Sequence, residues 1–203
     1  MNEDQVLEIL QKVGAFRAGH FILTSGRHGD TYINKDALYP YTRDTSELCK
    51  EIARRFKGRG VEAIIGPAVG AAILSQWTAY HLSDMEQRTV FATYADKDGE
   101  GGFVIRRGYD QLINDKKIIV VEDLTTTGGS IKKVVDAAKR VGAHIVGAGV
   151  LCNRGDVTPE MVNVPILESL VSVGLDSWEQ SECDLCKRGI PINTEVGHGS
   201  KKK

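Results

Sequence analysis

The chain has 203 residues, of which 26 are basic and 27 acidic, for a formal net charge of -1. This length fits one α/β domain with a full core, and the balanced charge argues against a protein that nucleic acid or an anionic membrane would hold by overall electrostatics. There is no stretch of about 18 apolar residues, and the N-terminus MNEDQVLEIL is acidic. We therefore expect no membrane span and no signal peptide, and predict a cytoplasmic protein.

The first half of the chain alternates predicted helices with buried strands. Apolar residues at one-turn spacing predict a helix that ends near Gly14 and another that runs through Leu48 and Phe56, with a polar, glycine-rich loop from Gly19 to Pro40 between them. VEAIIG then predicts a buried strand, GPAVGAAILSQWTAYHL a glycine turn opening into a third helix, and RTVFATY the next strand. This order is typical of a parallel sheet.

The second half continues the same alternation. The stretch 95–102 has almost no apolar residues and predicts an exposed, mobile loop, after which FVIRRGYDQL returns as a hairpin strand. A central strand over 117–122, a helix over 129–141 and two further apolar strands, HIVGAGVLCN and VPILESLVSV, complete the pattern. We predict a doubly wound, mainly parallel α/β sheet. The chain would be one domain over 1–203, with a small hood from about 1–40 and a flexible tail from about 194.

The most informative segment is IIVVEDLTTTGGS, at 118–130. An apolar strand ends in Glu122 and Asp123, and hydroxyl residues and two glycines lead directly into a helix. The glycines let the backbone curl around a phosphate, which the helix N-terminus attracts, while the carboxylates can accept hydrogen bonds from sugar hydroxyls or steady a cation. The alternative is an ordinary capped turn. The segment lacks the Lys of a GxxxxGK[ST] loop and the spacing of GxGxxG, which disfavours ATP hydrolysis and dinucleotide binding.

This segment resembles the phosphoribosyl pyrophosphate motif of the type I phosphoribosyltransferases. Further segments, in the same order along the chain, resemble the orotate phosphoribosyltransferases in particular: GHFILTSGRHGDTYIN, GPAVGAA, FVIRRGY and LCNRG. The resemblance implies a transferase of pyrimidine biosynthesis that joins orotate to the ribose of phosphoribosyl pyrophosphate, giving orotidine 5′-monophosphate and pyrophosphate. It also implies a homodimer whose mobile loop reaches the neighbour's site.

The resemblance also implies the residues of the site. Catalysis would rest on Lys97 and Asp123, and orotate would contact Thr126 and Arg154. The cofactor would be Mg²⁺, held mainly by the substrate without direct protein ligands. The contacts to phosphoribosyl pyrophosphate would come from Lys97 and from a continuous run in the acid-glycine segment: Glu122, Asp123, Leu124, Thr125, Thr126, Thr127, Gly128, Gly129 and Ser130.

Several alternatives stay open. Lys97 and Arg154 could each be a solvated surface residue, and Arg106 or Arg107 could supply a pyrophosphate contact, because this loop is shorter and less basic than in some family members. The turn at GPAVGAA could bind pyrophosphate or simply start a helix. The base could instead be a purine, as in salvage, or the chain could be a non-catalytic regulator that binds phosphoribosyl pyrophosphate. The resemblance also implies that the backbone of residues 24–26 covers the base.

Cys183 and Cys186 form a CxxC that could be half of a zinc site or a redox pair. A zinc site needs four ligands, and the sequence has no second CxxC or nearby CxxH; His198 is isolated. The other histidines show no metal spacing: His20, His28, His81 and His144. The segment resembles a CPLC-like tail of some orotate phosphoribosyltransferases, and this resemblance implies a structural tail without a protein-ligated metal.

Overall fold

A computed structural model describes residues 1–23, 26–174 and 177–194. The expected contacts of Thr24 and Ser25 and nearly all of the tail from about 194, including His198, lie outside these ranges. In chain order the elements are α1 Glu3–Lys12, β1 Phe16–Ile22, β2 His28–Ile33, a 3-10 turn Lys35–Ala37, α2 Thr42–Phe56, β3 Ala63–Pro67, α3 Gly70–Glu86, β4 Phe91–Lys97, β5 Phe103–Val104, α4 Tyr109–Ile113, β6 Lys117–Thr125, α5 Gly129–Arg140, β7 His144–Asn153, β8 Leu167–Ser172, β9 Ser177–Trp178 and α6 Asp184–Lys187.

The centre of the fold is a six-stranded sheet with the order β5-β4-β3-β6-β7-β8. All neighbours are parallel except β5, which runs antiparallel to β4. The chain steps from β3 to β4 on one side and later returns to place β6 on the other side of β3. Winding therefore reverses between β3 and β6, and this is where open α/β sheets leave a ligand crevice at the carboxyl ends of their strands. The predicted doubly wound fold is confirmed.

Helices cover both faces of this sheet. Residues of α2 and α3 contribute to one apolar core, and α5 contributes to the other. Central strands buried on both faces need apolar side chains in succession, and the run from Ile118 to Val121 in β6 is fully buried. The predicted inner face of α5, which includes Ile131 and Val134, is buried as well. No helix in the described ranges is both long and apolar enough to cross a membrane.

The predicted loop from Gly19 to Pro40 is wrong in two stretches, 19–22 and 28–33. These belong to the antiparallel strands β1 and β2, and β9, which comes from the opposite end of the chain, adds a third strand beside β2. We call β1, β2 and β9 the small sheet. Its strands are only partly buried, so their polar residues and glycines resemble a loop in sequence. The sheet formed by residues of the predicted hood therefore also includes a strand from near the C-terminus. The division of the chain into one domain, a hood and a tail stays a prediction.

Candidate functional site

Two adjacent carboxylates lie near the carboxyl end of β6, beside the point where the sheet reverses its winding. Glu122 is 5% exposed and Asp123 is 4% exposed. Charged side chains are almost never this buried unless they have partners. The strand continues three residues beyond its predicted end, to Thr125, so the acid pair lies within the strand and is held by its ladder.

The partners of Asp123 come from the segment that follows β2. Lys35 Nζ donates to Asp123 Oδ1 at 3.0 Å, and the Tyr39 hydroxyl donates a short hydrogen bond to Oδ2. The backbone N–H of Leu124 adds a third donor, at 2.7 Å from Oδ1. Sequence reasoning missed Lys35 and Tyr39 because it treated their segment as loop. The sequence did contain a signal, because a buried acid pair needs a cation and Lys35 and Tyr39 are spaced by about one helical turn.

These contacts shift the pKa values of the groups involved. Burial, reinforced by the charge of Asp123, raises the pKa of Glu122 well above its usual range, while Lys35 acts against this rise. Burial tends to lower the pKa of Lys35, but the charge and hydrogen bond of Asp123 outweigh it and the pKa is raised. Burial and then Asp123 also raise the pKa of Tyr39. Lys35 therefore stays a cation and Tyr39 a hydrogen-bond donor around the acid pair.

The turn between β6 and α5 has the form expected of a phosphate cradle. Thr125 Oγ1 accepts from the Gly128 N–H at 3.1 Å, and Thr127 Oγ1 accepts from the Gly129 N–H at 3.4 Å. Gly128 has φ +75°, and a Cβ there would come within 2.4 Å of a neighbouring side chain, so this position requires glycine. The exposed hydroxyl residues of the predicted set are Thr126, Thr127 and Ser130. The buried Thr125 hydroxyl already serves the turn itself.

The turn after β3 borders the acid pair. It leads from Pro67 into α3 at Gly70 and includes a cis peptide between Ala68 and Val69. A Cβ at Gly70 would lie 2.3 Å from the Tyr39 hydroxyl oxygen and 2.9 Å from Asp123 Oδ2. The turn backbone can approach the acid pair this closely only because residue 70 has no side chain. The two glycine turns predicted from sequence thus lie at the same crevice.

Arg154 follows β7 and is anchored beside the cradle. Its backbone N–H donates to the Thr125 carbonyl at 2.8 Å, and a Cβ at Gly155 would lie 1.7 Å from the Thr126 carbonyl oxygen. Thr126 and Arg154, the two residues expected to contact a base, therefore lie on adjoining turns. The Arg154 guanidinium makes no hydrogen bond or ion pair within the described part of the chain. Burial raises the pKa of the nearby Cys152 thiol to about 12, although the charge of Arg154 acts to lower it. The raised pKa disfavours a thiolate nucleophile here.

The structure places Lys97 in a strand, whereas the sequence predicted that it lies inside a loop. It is the last residue of β4 and pairs with Phe103 of β5, so the mobile loop expected over 95–102 is shortened to a tight turn. Asp98 Oδ1 closes this turn by accepting from the N–H groups of Glu100 and Gly102, at 2.8 Å each. Lys97 is exposed and is not joined to Glu122 or Asp123 by any described contact. In this arrangement it is two strand spacings, about 10 Å, from β6.

The alternative cations differ in what holds them. Arg107 lies 3.4 Å from the Asp96 carboxylate and 5.9 Å from the centre of the Tyr94 ring. Arg106 is exposed. Arg107 is thus committed to neighbours beside Lys97, whereas the Arg106 side chain has no hydrogen bond or ion pair among the described residues.

Comparison with known proteins agrees with these features. The family model of the phosphoribosyl transferase domain matches residues 35–173. An orotate phosphoribosyltransferase from Thermoanaerobacter sp. (strain X514) is 37% identical over 203 residues, which cover 100% of both chains. A crystal structure of orotate phosphoribosyltransferase from Mycobacterium tuberculosis has a TM-score of 0.67 at 19% identity, covering 84% of this chain and 96% of that one.

The fold is almost as similar to that of an enzyme named for a purine base. Adenine phosphoribosyltransferase from Thermoanaerobacter pseudethanolicus has a TM-score of 0.63 at 16% identity, covering 83% of this chain and 99% of that one. At such identities the likeness shows the fold alone. Fold similarity therefore does not distinguish a pyrimidine from a purine substrate, whereas the full-length sequence similarity favours orotate.

Proposed function

The chain belongs to the phosphoribosyl transferase family, and from this premise we propose that it is an orotate phosphoribosyltransferase. The enzyme transfers the 5-phosphoribosyl group of phosphoribosyl pyrophosphate to orotate and releases orotidine 5′-monophosphate and pyrophosphate. One observation carries the proposal beyond the similarity itself. The acid pair, the glycine cradle and the turn that bears Arg154 converge at the crevice where the sheet reverses its winding.

The site residues divide the substrate among them. Glu122 and Asp123 accept from ribose hydroxyls, and the cradle from Leu124 to Ser130 holds the 5-phosphate through backbone N–H groups and hydroxyls. The turn of 67–70 holds the pyrophosphate through its backbone. Because Lys35 and Tyr39 already orient Asp123, its carboxylate is positioned before the substrate arrives, which lowers the cost of organising the site.

Orotate is planar and carries a carboxylate, which suits the fork of a guanidinium. Arg154 supports this role because its guanidinium has no protein partner in the ranges described, while its backbone is fixed to the cradle. Thr126 lies on the adjoining turn and contacts the same base. A purine has no carboxylate, so an Arg154 without a partner among the described residues favours orotate over the purine alternative.

Mg²⁺ is the proposed cofactor, and the donor set fits an ion held mainly by the substrate. Carboxylate oxygens are the ligands that Mg²⁺ prefers, but both oxygens of Asp123 already accept hydrogen bonds from protein groups. When bound, the ion neutralises charge that gathers on the departing pyrophosphate. The protein aligns the base with the ribose carbon and excludes water, and it needs no covalent nucleophile.

Lys97 is the proposed catalytic cation, and the proposed homodimer provides the reason for its distance from its own acid pair. A groove beside β4 is lined by apolar and aromatic side chains that include Val69, Trp77 and Tyr109. Val69, which directly precedes α3, is 79% exposed, and Tyr80, within α3, is 61% exposed. Exposed apolar clusters of this kind mark protein interfaces. A second copy on this face would receive Lys97 of its neighbour.

Mixing two inactive variants tests this arrangement. Lys97→Ala subunits and Asp123→Asn subunits are each expected to be nearly inactive, and a heterodimer would contain one site with both groups intact. Activity should therefore recover towards one quarter of the parent's specific activity on equal random mixing, since about half of the dimers are mixed and each has one complete site of two. Confirmed heterodimers without recovery would show that Lys97 serves the site of its own subunit.

The proposed function is tested with a panel of bases. The purified protein is incubated with phosphoribosyl pyrophosphate, Mg²⁺ and orotate, uracil, adenine or hypoxanthine, and each product is identified by mass spectrometry. We expect consumption of orotate alone, with one pyrophosphate released per nucleotide. Consumption of a purine would support the salvage alternative, and tight substrate binding without consumption of any base would support a regulator.

The cytoplasmic location stays a prediction.

A further inference from the structure

Four potential metal ligands converge behind the small sheet. His20 lies on β1 and His28 begins β2. Cys183 directly precedes the short helix α6, and Cys186 lies within it. One ligand atom from each residue lies within 4.8 Å of all the others. The sequence offered only the CxxC as a candidate site because its two further ligands are more than 150 residues away along the chain.

The spacing of these atoms approaches that of a tetrahedral site. Zinc bonds of about 2.0–2.3 Å place neighbouring tetrahedral ligands roughly 3.3–3.8 Å apart. The Cys186 Sγ lies 3.3 Å from His28 Nδ1 and 3.7 Å from His20 Nε2, and the Cys183 Sγ lies 3.6 Å from His20 Nε2. The two ring nitrogens are 2.7 Å apart and would separate by about half an ångström around a central ion.

The surroundings prepare one histidine as a ligand. His20 Nδ1 lies 2.7 Å from the Ile190 carbonyl oxygen, which can only accept, so Nδ1 carries the proton and Nε2 presents its lone pair to the cluster. An outer hydrogen bond of this type fixes the orientation of metal-binding histidines. His20, His28 and Cys183 are each at most 3% exposed. Three of the four groups are thus removed from water and directed at one point.

We propose that His20, His28, Cys183 and Cys186 bind one Zn²⁺ in a structural site. Two sulfur and two nitrogen ligands are typical of tetrahedral zinc and unlike the oxygen ligands that Mg²⁺ prefers, so this site is separate from the substrate-held cofactor. Binding displaces the two thiol protons to solvent and involves no redox change. Four protein ligands leave no position for a substrate, which makes the role structural.

The proposed ion would join the two ends of the chain. The small sheet has only three strands, and β9 contributes two residues to it. A two-stranded hairpin alone is only marginally stable, and a third strand of two residues adds little to it. His20 and His28 anchor the hairpin, and Cys183 and Cys186 anchor the segment that follows β9. A metal bridge between them would hold β9 beside β2 without a large apolar core.

Metal content tests the proposal directly. The full chain is produced without a histidine tag in zinc-supplemented medium, kept reduced and dialysed against EDTA, and its metals are measured by mass spectrometry. We expect about one zinc ion per chain to remain. Replacement by Co²⁺ should give a thiolate-to-cobalt charge-transfer band and the intense visible bands of a tetrahedral site. No retained zinc and no thiolate band would overturn the proposal, as would a Cys183–Cys186 disulfide in the reduced preparation.

Variants of Cys186 separate metal binding from folding, because this residue is only half-buried and lies within a helix of four residues. Cys186→Ala should weaken zinc binding by at least roughly tenfold, since even outer partners of metal ligands contribute about 10–100-fold. Cys186→His keeps a ligand and should retain zinc. Cys49→Ala, a matched change at a buried cysteine outside the cluster, should bind as the parent does. Equal zinc affinity in Cys186→Ala and the parent would overturn the site.

Discussion

The contact between Lys35 and Asp123 leads to a prediction about stability that depends on pH. Their charged atoms are 3.0 Å apart, and two unit charges at this distance attract by about 5.5 kcal/mol at an effective dielectric constant of 20. The Asp123 side chain is 3% exposed but that of Lys35 is 46% exposed, so solvent screening and the ordering of a long side chain reduce the net value. Lys35→Met should lower the free energy of unfolding by about 1–2 kcal/mol at pH 8.

The pH dependence follows from the directions of the pKa shifts. The folded-state pKa of Lys35 is raised above 10.5, so its contribution is complete at pH 8 and is lost only as pH rises through that raised value. The folded-state pKa of Glu122 is raised above 4.5, so the stability linked to its protonation is present below about 4.5 and is lost as pH rises through the raised value. Removing Lys35 raises the pKa of Glu122 further. The variant should therefore lose more stability than the parent between pH 5 and pH 8.

Urea unfolding of both proteins at pH 5 and pH 8 measures this difference. Lys12→Met is the matched control because Lys12 pairs with Asp44 at 2.9 Å and its side chain is 65% exposed. The control should change the free energy of unfolding by less than about 0.5 kcal/mol at both pH values. If Lys35→Met resembles the control, or if its loss at pH 5 equals its loss at pH 8, Lys35 does not balance the charge of the acid pair.

Three further substitutions test the proposed roles in the transfer. Asp123→Asn should lower kcat/KM for phosphoribosyl pyrophosphate by at least about 100-fold while circular dichroism shows an intact fold; near-normal turnover would remove the central assignment. Arg154→Ala should raise the KM for orotate by the equivalent of about 1.5–3 kcal/mol, with little change for phosphoribosyl pyrophosphate, whereas equal effects on both would mean that Arg154 does not read the base. Lys97→Ala should lower kcat by roughly 10²–10³ without a change in Tm, and an unchanged kcat would exclude it from catalysis.

The main sheet and its helices could be predicted from sequence because their signals are local. The apolar run of β6 and the apolar residues at one-turn spacing on one face of α5 each lie within a single element. The first helix shows the same locality. Asn2 Oδ1 accepts from the Gln5 N–H at 3.0 Å, and the Gln5 side chain accepts from the Asn2 N–H at 3.0 Å, which forms a capping box within four residues.

The small sheet could not be predicted in the same way because its strands depend on distant partners. β1 has three exposed residues in succession and contains an irregularity in its pairing between Ala18 and Phe21, so it lacks the strict alternation of a half-buried strand. Its third strand, β9, has only two residues and is separated from β2 by most of the chain. The same separation hid Lys35 from Asp123, which are 88 residues apart.

A different cause explains the incorrect bounds of the loop predicted over 95–102. Composition correctly indicated an exposed segment between β4 and β5, but it could not show that Asp98 would accept two backbone hydrogen bonds and close a tight hairpin. Asp and Gly are the residues that form such turns, and they equally mark a longer mobile loop. Which of the two forms depends on whether the segments before and after these residues pair as strands. That signal is weak in the sequence, because β4 and β5 pair through only two residues each.

The small sheet also connects the proposed zinc site to the candidate active site. β2 begins at His28 and ends at Ile33, and Lys35 follows after a single intervening residue. That residue, Asn34, is itself fixed by its N–H, which donates to the Ala15 carbonyl at 2.7 Å. A shift of the hairpin therefore has almost no slack chain in which to be absorbed before it moves the cation that balances Asp123. The position of the small sheet and the charge of the acid pair are consequently coupled through this short segment.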